Sequence, residues 1–192
     1  MTRRAGLVWD CSLLFNRYLE DCGVACELVT PHMLAAPFFR AKFVSLIVPT
    51  GFANPKFSGL LPALRASSPR IRRFVEQGGR LLVFGAMDPS PASYDWLPFR
   101  LNYRHEYFRT RVTFENVPSP CTILDQFSGD EVECDGYFED VEGLVAARGE
   151  EGRALMVCHP LGEGVIVVTS FHEYPSRPFV QEFCTADRET LF

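Results

Sequence analysis

Residues 74–89, FVEQGGRLLVFGAMDP, decide the fold because they combine the end of a helix, a buried strand and a tight corner. An apolar helix end is followed by a turn containing Gly78 and Gly79, and then by the apolar run 81–84. In an α/β enzyme, such a strand leads to a corner that exposes a nucleophilic Ser or Cys at the carboxyl edge of the sheet. Here the corner reads Gly85, Ala86, Met87, which offers no side chain able to attack a carbonyl.

Strands and helices alternate on the amino-terminal side of this corner. Apolar runs at 5–9, 24–29, 43–48 and 81–84 predict strands, and helical patterns predict helices at 13–19, 33–40 and 60–77, the last broken near Pro69. Such alternation predicts a parallel sheet with helices on both faces, and the continuous run 43–48 predicts a central strand. Because crossovers are right-handed, the loops that follow the strands should meet at one edge of the sheet.

The carboxyl-terminal half has a different pattern, with short strands and little helix. Strands are predicted at 109–114, 121–124, 143–147, 154–158 and 165–170, and the last two form a hairpin through 160–164. The acidic stretch around Asp135 predicts a solvated loop. We therefore predict an α/β fold, a flavodoxin-like three-layer sandwich with a mainly parallel sheet and antiparallel strands added in the carboxyl-terminal half. A chain of 192 residues fits a single domain, 1–192.

Composition excludes several classes of function. A net charge of −5 and a pI near 5.4 oppose a role in binding nucleic acid, and no apolar run approaches the ~20 residues of a membrane span. The seven cysteines are odd in number and none has C-x-x-C spacing, so we predict no metal site and no cofactor. Reduced cysteines and the lack of a signal-peptide pattern predict a cytoplasmic protein.

Three segments carry a family resemblance. They are FVSLIVPTGFANP at 43–55, the corner segment 74–89, and GEGVIVVTSFHEYPS at 162–176. This order, with a glycine-bearing loop after a strand, an elbow after F-V-E-x-G-G and a late strand ending in F-H, resembles the class I glutamine amidotransferase-like proteins. The resemblance extends over most of the chain.

The resemblance implies roles for individual residues. In that family a Cys at the elbow is the nucleophile, a late His is the base, a Glu two residues on orients the His, and a loop glycine helps form the oxyanion hole. His172 matches the base and Gly51 the loop glycine, whereas the elbow Cys corresponds to Gly85, or to Met87 in an alternative register. The family's Pro-Glu corresponds to Glu173 and Tyr174. The catalytic triad is thus degenerate, and we predict no glutaminase activity.

Two groups of candidate site residues follow from these positions. His172 and Glu173 are the candidate catalytic residues, although His172 could instead bond a backbone carbonyl. Because parallel strands deliver their loops to one edge, a ligand site is also predicted there. Its predicted members are Asp10, Cys11, Thr50, Gly51, Gly85 and Ala86. With no nucleophile at the elbow, that space should be an open pocket or be plugged by Met87.

Three functions remain open on the sequence. The first is a non-catalytic amidotransferase-like domain that binds a small molecule or a protein partner. The second is a hydrolase or other enzyme of a different class that uses His172 and Glu173, with Cys11 as a relocated nucleophile or, in the simpler interpretation, as a structural thiol. The third is a subunit of a larger assembly such as a homo-oligomer, because 17 Phe residues suggest aromatic surface outside the core.

Overall fold

A computed structural model describes residues 4–115, 123–186 and 188–192. The predicted strand at 121–124 therefore lies partly outside the described residues, and its described part, Ile123 and Leu124, belongs to a turn and not to a strand. The helices are α1 (Leu14–Asp21), α2 (Pro31–Ala35), α3 (Leu60–Glu76) and α4 (Arg177–Phe183), and a 3₁₀ turn spans Glu150–Gly152. The strands are β1 (Arg4–Val8), β2 (Ala25–Val29), β3 (Lys42–Phe43), β4 (Ser45–Val48), β5 (Arg80–Val83), β6 (Asn102–Thr110), β7 (Thr113–Phe114), β8 (Val132–Glu139), β9 (Leu144–Arg148), β10 (Ala154–Leu161), β11 (Gly164–Thr169) and β12 (Thr190–Leu191).

Ten of these strands form one mixed sheet in the order β2-β1-β4-β5-β11-β10-β8-β6, with β9 pairing with β10 and β7 with β9. Strands β2, β1, β4, β5 and β11 pair in parallel and constitute the parallel half. Strands β10, β8, β6, β9 and β7 pair antiparallel and constitute the antiparallel half. The α/β fold class, the central position of β4 between β1 and β5, and the β10–β11 hairpin are confirmed.

Alternate residues of the parallel strands face two separate apolar clusters. On β5, Leu81 and Val83 belong to a cluster with Leu64 and Phe74 of α3. Leu82 belongs to a second cluster, together with residues of α1 and α4. Because side chains of a strand alternate between the two faces of a sheet, both faces of the parallel half are covered. This arrangement leaves the strand ends as the exposed part of the parallel half.

Two sequence predictions are wrong in the described structure. The acidic stretch around Asp135 is not a loop but strand β8, in which Val132, Cys134 and Phe138 are buried. The segment forms a strand because its backbone pairs with β6, a contact that its acidic composition does not indicate. Helix α3 is also not broken at Pro69 and runs without interruption through it. Its apolar side chains pack on the sheet over the whole length, which offsets the one backbone bond that proline cannot make.

No helix within the described parts of the chain has the length and apolar character needed to cross a membrane.

Candidate functional site

A pocket of about 340 Å³ lies at the carboxyl edge of the parallel half. This volume is at the lower end of the range typical of small-molecule sites. Helix α1, the loop after β4, the end of β5 and the segment after β11 supply its walls. The lining residues are Leu13, Leu14, Phe15, Pro49, Thr50, Phe84, His172, Glu173 and Tyr174. Three predicted site residues, Thr50, His172 and Glu173, are therefore brought together in one pocket.

His172 and Glu173 reach the pocket because they follow β11 directly. The His172 side chain is exposed, its backbone N–H donates to the Glu133 carbonyl at 2.8 Å, and its ring meets Tyr107 edge-on at 6.4 Å between centroids. Within the described residues, no hydrogen bond joins the His172 imidazole to a carboxylate, and the side-chain hydrogen bonds of nearby Glu133 come from Tyr107 and Arg109. An imidazole without such a bond is not held in one orientation, as the base of a triad would be.

The elbow after β5 is closed rather than open. Gly85 and Ala86 are buried, and their carbonyls accept hydrogen bonds from the backbone N–H groups of Gly51 at 2.8 Å and Ala53 at 3.3 Å. A Cβ atom added to Gly85 would lie 1.9 and 2.0 Å from the two carboxylate oxygens of Asp135. The space into which a side chain at position 85 would project is therefore filled by Asp135.

Met87 follows Gly85 and Ala86 in the elbow after β5. Its φ of 50° lies in the left-handed region, which is uncommon for a residue with a side chain. The Asn54 amide donates to the Met87 carbonyl at 2.9 Å and supports this conformation. The Met87 sulfur lies 3.7 Å from the point where a Cβ on Gly51 would stand. Met87 thus covers the loop glycine, while the pocket beside it stays open.

Asp135 is the functional candidate that sequence reasoning missed. Its side chain is buried, with 1% exposure for the residue, and neither carboxylate oxygen has a hydrogen-bond partner among the residues that the structure describes. The hydroxyl of Tyr103 donates instead to the Asp135 backbone carbonyl at 2.6 Å. Burial raises the pKa of the Asp135 carboxyl from 3.8 to about 7. The period-two alternation of Val132, Cys134 and Phe138 could have revealed β8, although not the burial of an aspartate on it.

Asp10 and Cys11 lie near the same edge but do not line the pocket. The Asp10 carboxylate accepts hydrogen bonds from the Ser58 hydroxyl and, at 3.2 Å, from the Gly59 backbone N–H at the start of α3. Cys11 is exposed. Asp10 therefore caps the amino terminus of α3, where free backbone N–H groups stabilise a carboxylate. Among the described residues, no group of three or more His, Cys, Asp or Glu side chains could hold a metal ion.

Comparisons with known proteins inform the fold. No protein-family model matches the sequence, and no curated protein matches it. A β-galactosidase from Bacillus circulans sp. alkalophilus is similar in structure, with a TM-score of 0.56, 11% identity, and coverage of 92% of this chain and 29% of that one. A cytoplasmic protein from Salmonella typhimurium LT2 gives a TM-score of 0.53 at 14% identity over 94% of this chain and 95% of that one.

A second Salmonella typhimurium cytoplasmic protein gives a TM-score of 0.52 at 11% identity over 98% of this chain and 99% of that one. The chain thus spans less than a third of the β-galactosidase, and nearly all of the two cytoplasmic proteins. At these identities the likeness shows a shared fold and nothing about activity.

Proposed function

We propose that this protein is a class I glutamine amidotransferase-like domain without glutaminase activity, which binds a small ligand in the pocket at the carboxyl edge of its sheet. The observation that carries the proposal is the Asp135 carboxylate in the space above Gly85, where the family places its nucleophile. Amide hydrolysis through a covalent intermediate needs a nucleophile within hydrogen-bond reach of a base. Met87 over Gly51 adds support, because the loop glycine is then covered.

Strand order supports the finer description of the fold that belongs to this proposal. Counted along the chain, the parallel strands β1, β2, β4, β5 and β11 are arranged as 2-1-3-4-5 in the sheet. That order is typical of flavodoxin-like three-layer sandwiches, in which ligands bind at the carboxyl ends of the strands. The proposal also includes a cytoplasmic location, as two of the structural neighbours are named cytoplasmic proteins. Self-association as a homo-oligomer is a further part of it.

A glutaminase assay tests the proposal. Purified protein incubated with glutamine should release no ammonia or glutamate above background, because neither Gly85 nor Met87 carries a nucleophile. The Cys11→Ser variant is the matched control for the one exposed thiol among the described cysteines. Release that is present in the wild type and abolished by Cys11→Ser would overturn the proposal and identify a relocated nucleophile.

The second candidate is an enzyme of another class that uses His172 and Glu173. The observation in its favour is that both residues line one pocket with Thr50. A panel of activated ester and amide substrates would test it, with His172→Ala and Glu173→Ala as variants. Turnover that both substitutions abolish without lowering the melting temperature would favour this enzyme over the binding module.

A further inference from the structure

Four of the nine described residues that line the pocket carry aromatic rings, namely Phe15, Phe84, His172 and Tyr174, and Tyr18 lies behind Tyr174. Tyr174 stacks on Phe15 with centroids 5.1 Å apart and an interplanar angle of 7°, and on Tyr18 at 5.1 Å and 29°. Phe15 and Tyr18 are only 6.2 Å apart, so they do not lie on opposite faces of Tyr174. Phe84 meets Phe15 edge-on at 5.8 Å. Tyr174 lines the pocket and is 54% exposed, so its side chain is accessible to a ligand there.

The charge on the pocket wall is negative. Glu173 is the only carboxylate among the described residues that line the pocket, and no lysine or arginine lines it. An anionic ligand would therefore find no cation to pair with. A neutral apolar ligand would displace water from the Glu173 carboxylate without replacing its interactions, which costs free energy.

An organic cation would interact favourably with both the Glu173 carboxylate and the aromatic rings of the pocket wall. A positive charge near Glu173 replaces the lost hydration of the carboxylate, and the electron-rich faces of aromatic rings attract a cationic group within about 6 Å of the ring centre. Thr50 and His172 also line the pocket, and their polar atoms have no side-chain hydrogen bond to any other described residue. We infer that the pocket binds a small organic ammonium ion with an apolar body, an inference that rests on the proposed role of this pocket as the ligand site.

Choline and its neutral isostere 3,3-dimethyl-1-butanol test the inference, because they differ in charge and scarcely in shape. Each is titrated into ¹⁵N-labelled protein, and the dissociation constant is read from the amide shifts of Thr50, Glu173 and Tyr174. We expect choline to bind roughly tenfold more tightly than the alcohol. Glu173→Gln should remove most of this preference and leave the affinity for the alcohol within about twofold.

Two controls make the result specific. Glu163 lies on the β10–β11 turn, away from the pocket, and its exposed carboxylate pairs with Arg188. Glu163→Gln removes this carboxylate and should leave the preference for choline unchanged. Tyr174→Phe keeps the ring and should preserve binding, whereas Tyr174→Leu should weaken choline more than the alcohol. Equal affinity for both probes would overturn the cation inference and leave the pocket as a site for another ligand. The absence of shifts at the pocket with either probe would count against both the inference and the ligand role.

Discussion

Every residue of β4 in the parallel half of the sheet is buried, whereas in the antiparallel half four consecutive residues of β6, 104–107, are exposed. Helices cover the parallel strands on both faces. On the antiparallel strands, ion pairs such as Arg104–Glu139, at 2.8 Å, lie on the exposed face, and Arg153 lies over the rings of Phe108 and Tyr137. The parallel half therefore depends on apolar burial on both faces. In the antiparallel half this burial continues through residues 154–158 of β10 and gives way to solvated charge at the outer strand β6.

The two halves meet at the candidate site. Strand β11 pairs in parallel with β5 and antiparallel with β10, so it belongs to both patterns. Asp135 of β8 donates its backbone N–H to the Ser170 carbonyl at 3.1 Å and places its carboxylate against Gly85, at the end of a parallel strand. The antiparallel half therefore does more than extend the sheet, because it supplies Asp135, whose side chain closes the elbow at Gly85.

The largest effect is expected where the two halves touch. Gly85→Ala would place a methyl group about 2 Å from the Asp135 carboxylate, so the buried aspartate side chain, or the strand that carries it, must shift. Overpacking of this severity should lower the free energy of unfolding by about 3 kcal/mol or more, measured by urea denaturation. Gly59→Ala is the matched control, since its added Cβ would come no nearer than 3.5 Å to Asp10, and it should cost less than about 1 kcal/mol. Equal losses in both variants would mean that the elbow is not tightly closed.

An intermediate effect is expected from the charge on Asp135. Its pKa is raised in the folded state, so stability falls as pH rises from about 4 to about 7 and is constant above that range. A rise in pKa from 3.8 to about 7 corresponds to a cost on the order of 4 kcal/mol. Asp135→Asn removes the charge but retains a buried amide, so we expect it to stabilise the protein at pH 8 by about 2 kcal/mol.

The pH dependence of that variant is the decisive measurement. Melting temperatures of wild type and Asp135→Asn should differ at pH 8 and converge below about pH 3, where the aspartate is mostly protonated in both the folded and unfolded states. If the two melting temperatures differ by the same amount at both pH values, the effect of the substitution comes from packing and not from the charge of Asp135. Asp130→Asn, at an exposed position on the segment before β8, should change neither melting temperature.

The smallest effect is expected on the exposed face of the antiparallel half. Both side chains of the Arg104–Glu139 pair are more than one-third exposed, so solvent and salt screen their attraction. Replacing either with Gln should shift the melting temperature by less than about 1 °C, and the shift should vanish in 0.5 M salt. A large, salt-resistant loss would show that this face is covered by something that excludes water.

Local patterns were sufficient to predict the parallel half. The apolar runs that became β4 and β5, and the turn at Gly162 and Glu163 between β10 and β11, are each contained in a few consecutive residues. Burial on both faces gives such strands an unbroken apolar sequence. The pocket could be predicted in part for the same reason, since Thr50, His172 and Glu173 directly follow these strands.

The antiparallel half could not be predicted as well, because its pairing joins residues far apart in the sequence. Strand β6 contains Arg104, His105 and Glu106 in succession, which no propensity favours as a strand, and it is fixed by pairing with β8 about thirty residues later. Burial of Asp135 also depends on Gly85, fifty positions earlier in the chain. A sequence pattern read within one window does not contain that contact.

The contact between Gly85 and Asp135 also determines the order in which this sequence can change. Any residue other than glycine at position 85 collides with the carboxylate, whereas a smaller residue at position 135 leaves room for one. Two substitutions that are tolerated in one order are therefore harmful in the other, so their effects on fitness are not additive. While Asp135 keeps this position, a side chain at position 85 requires the carboxylate to move, so the two positions are expected to change together rather than one at a time.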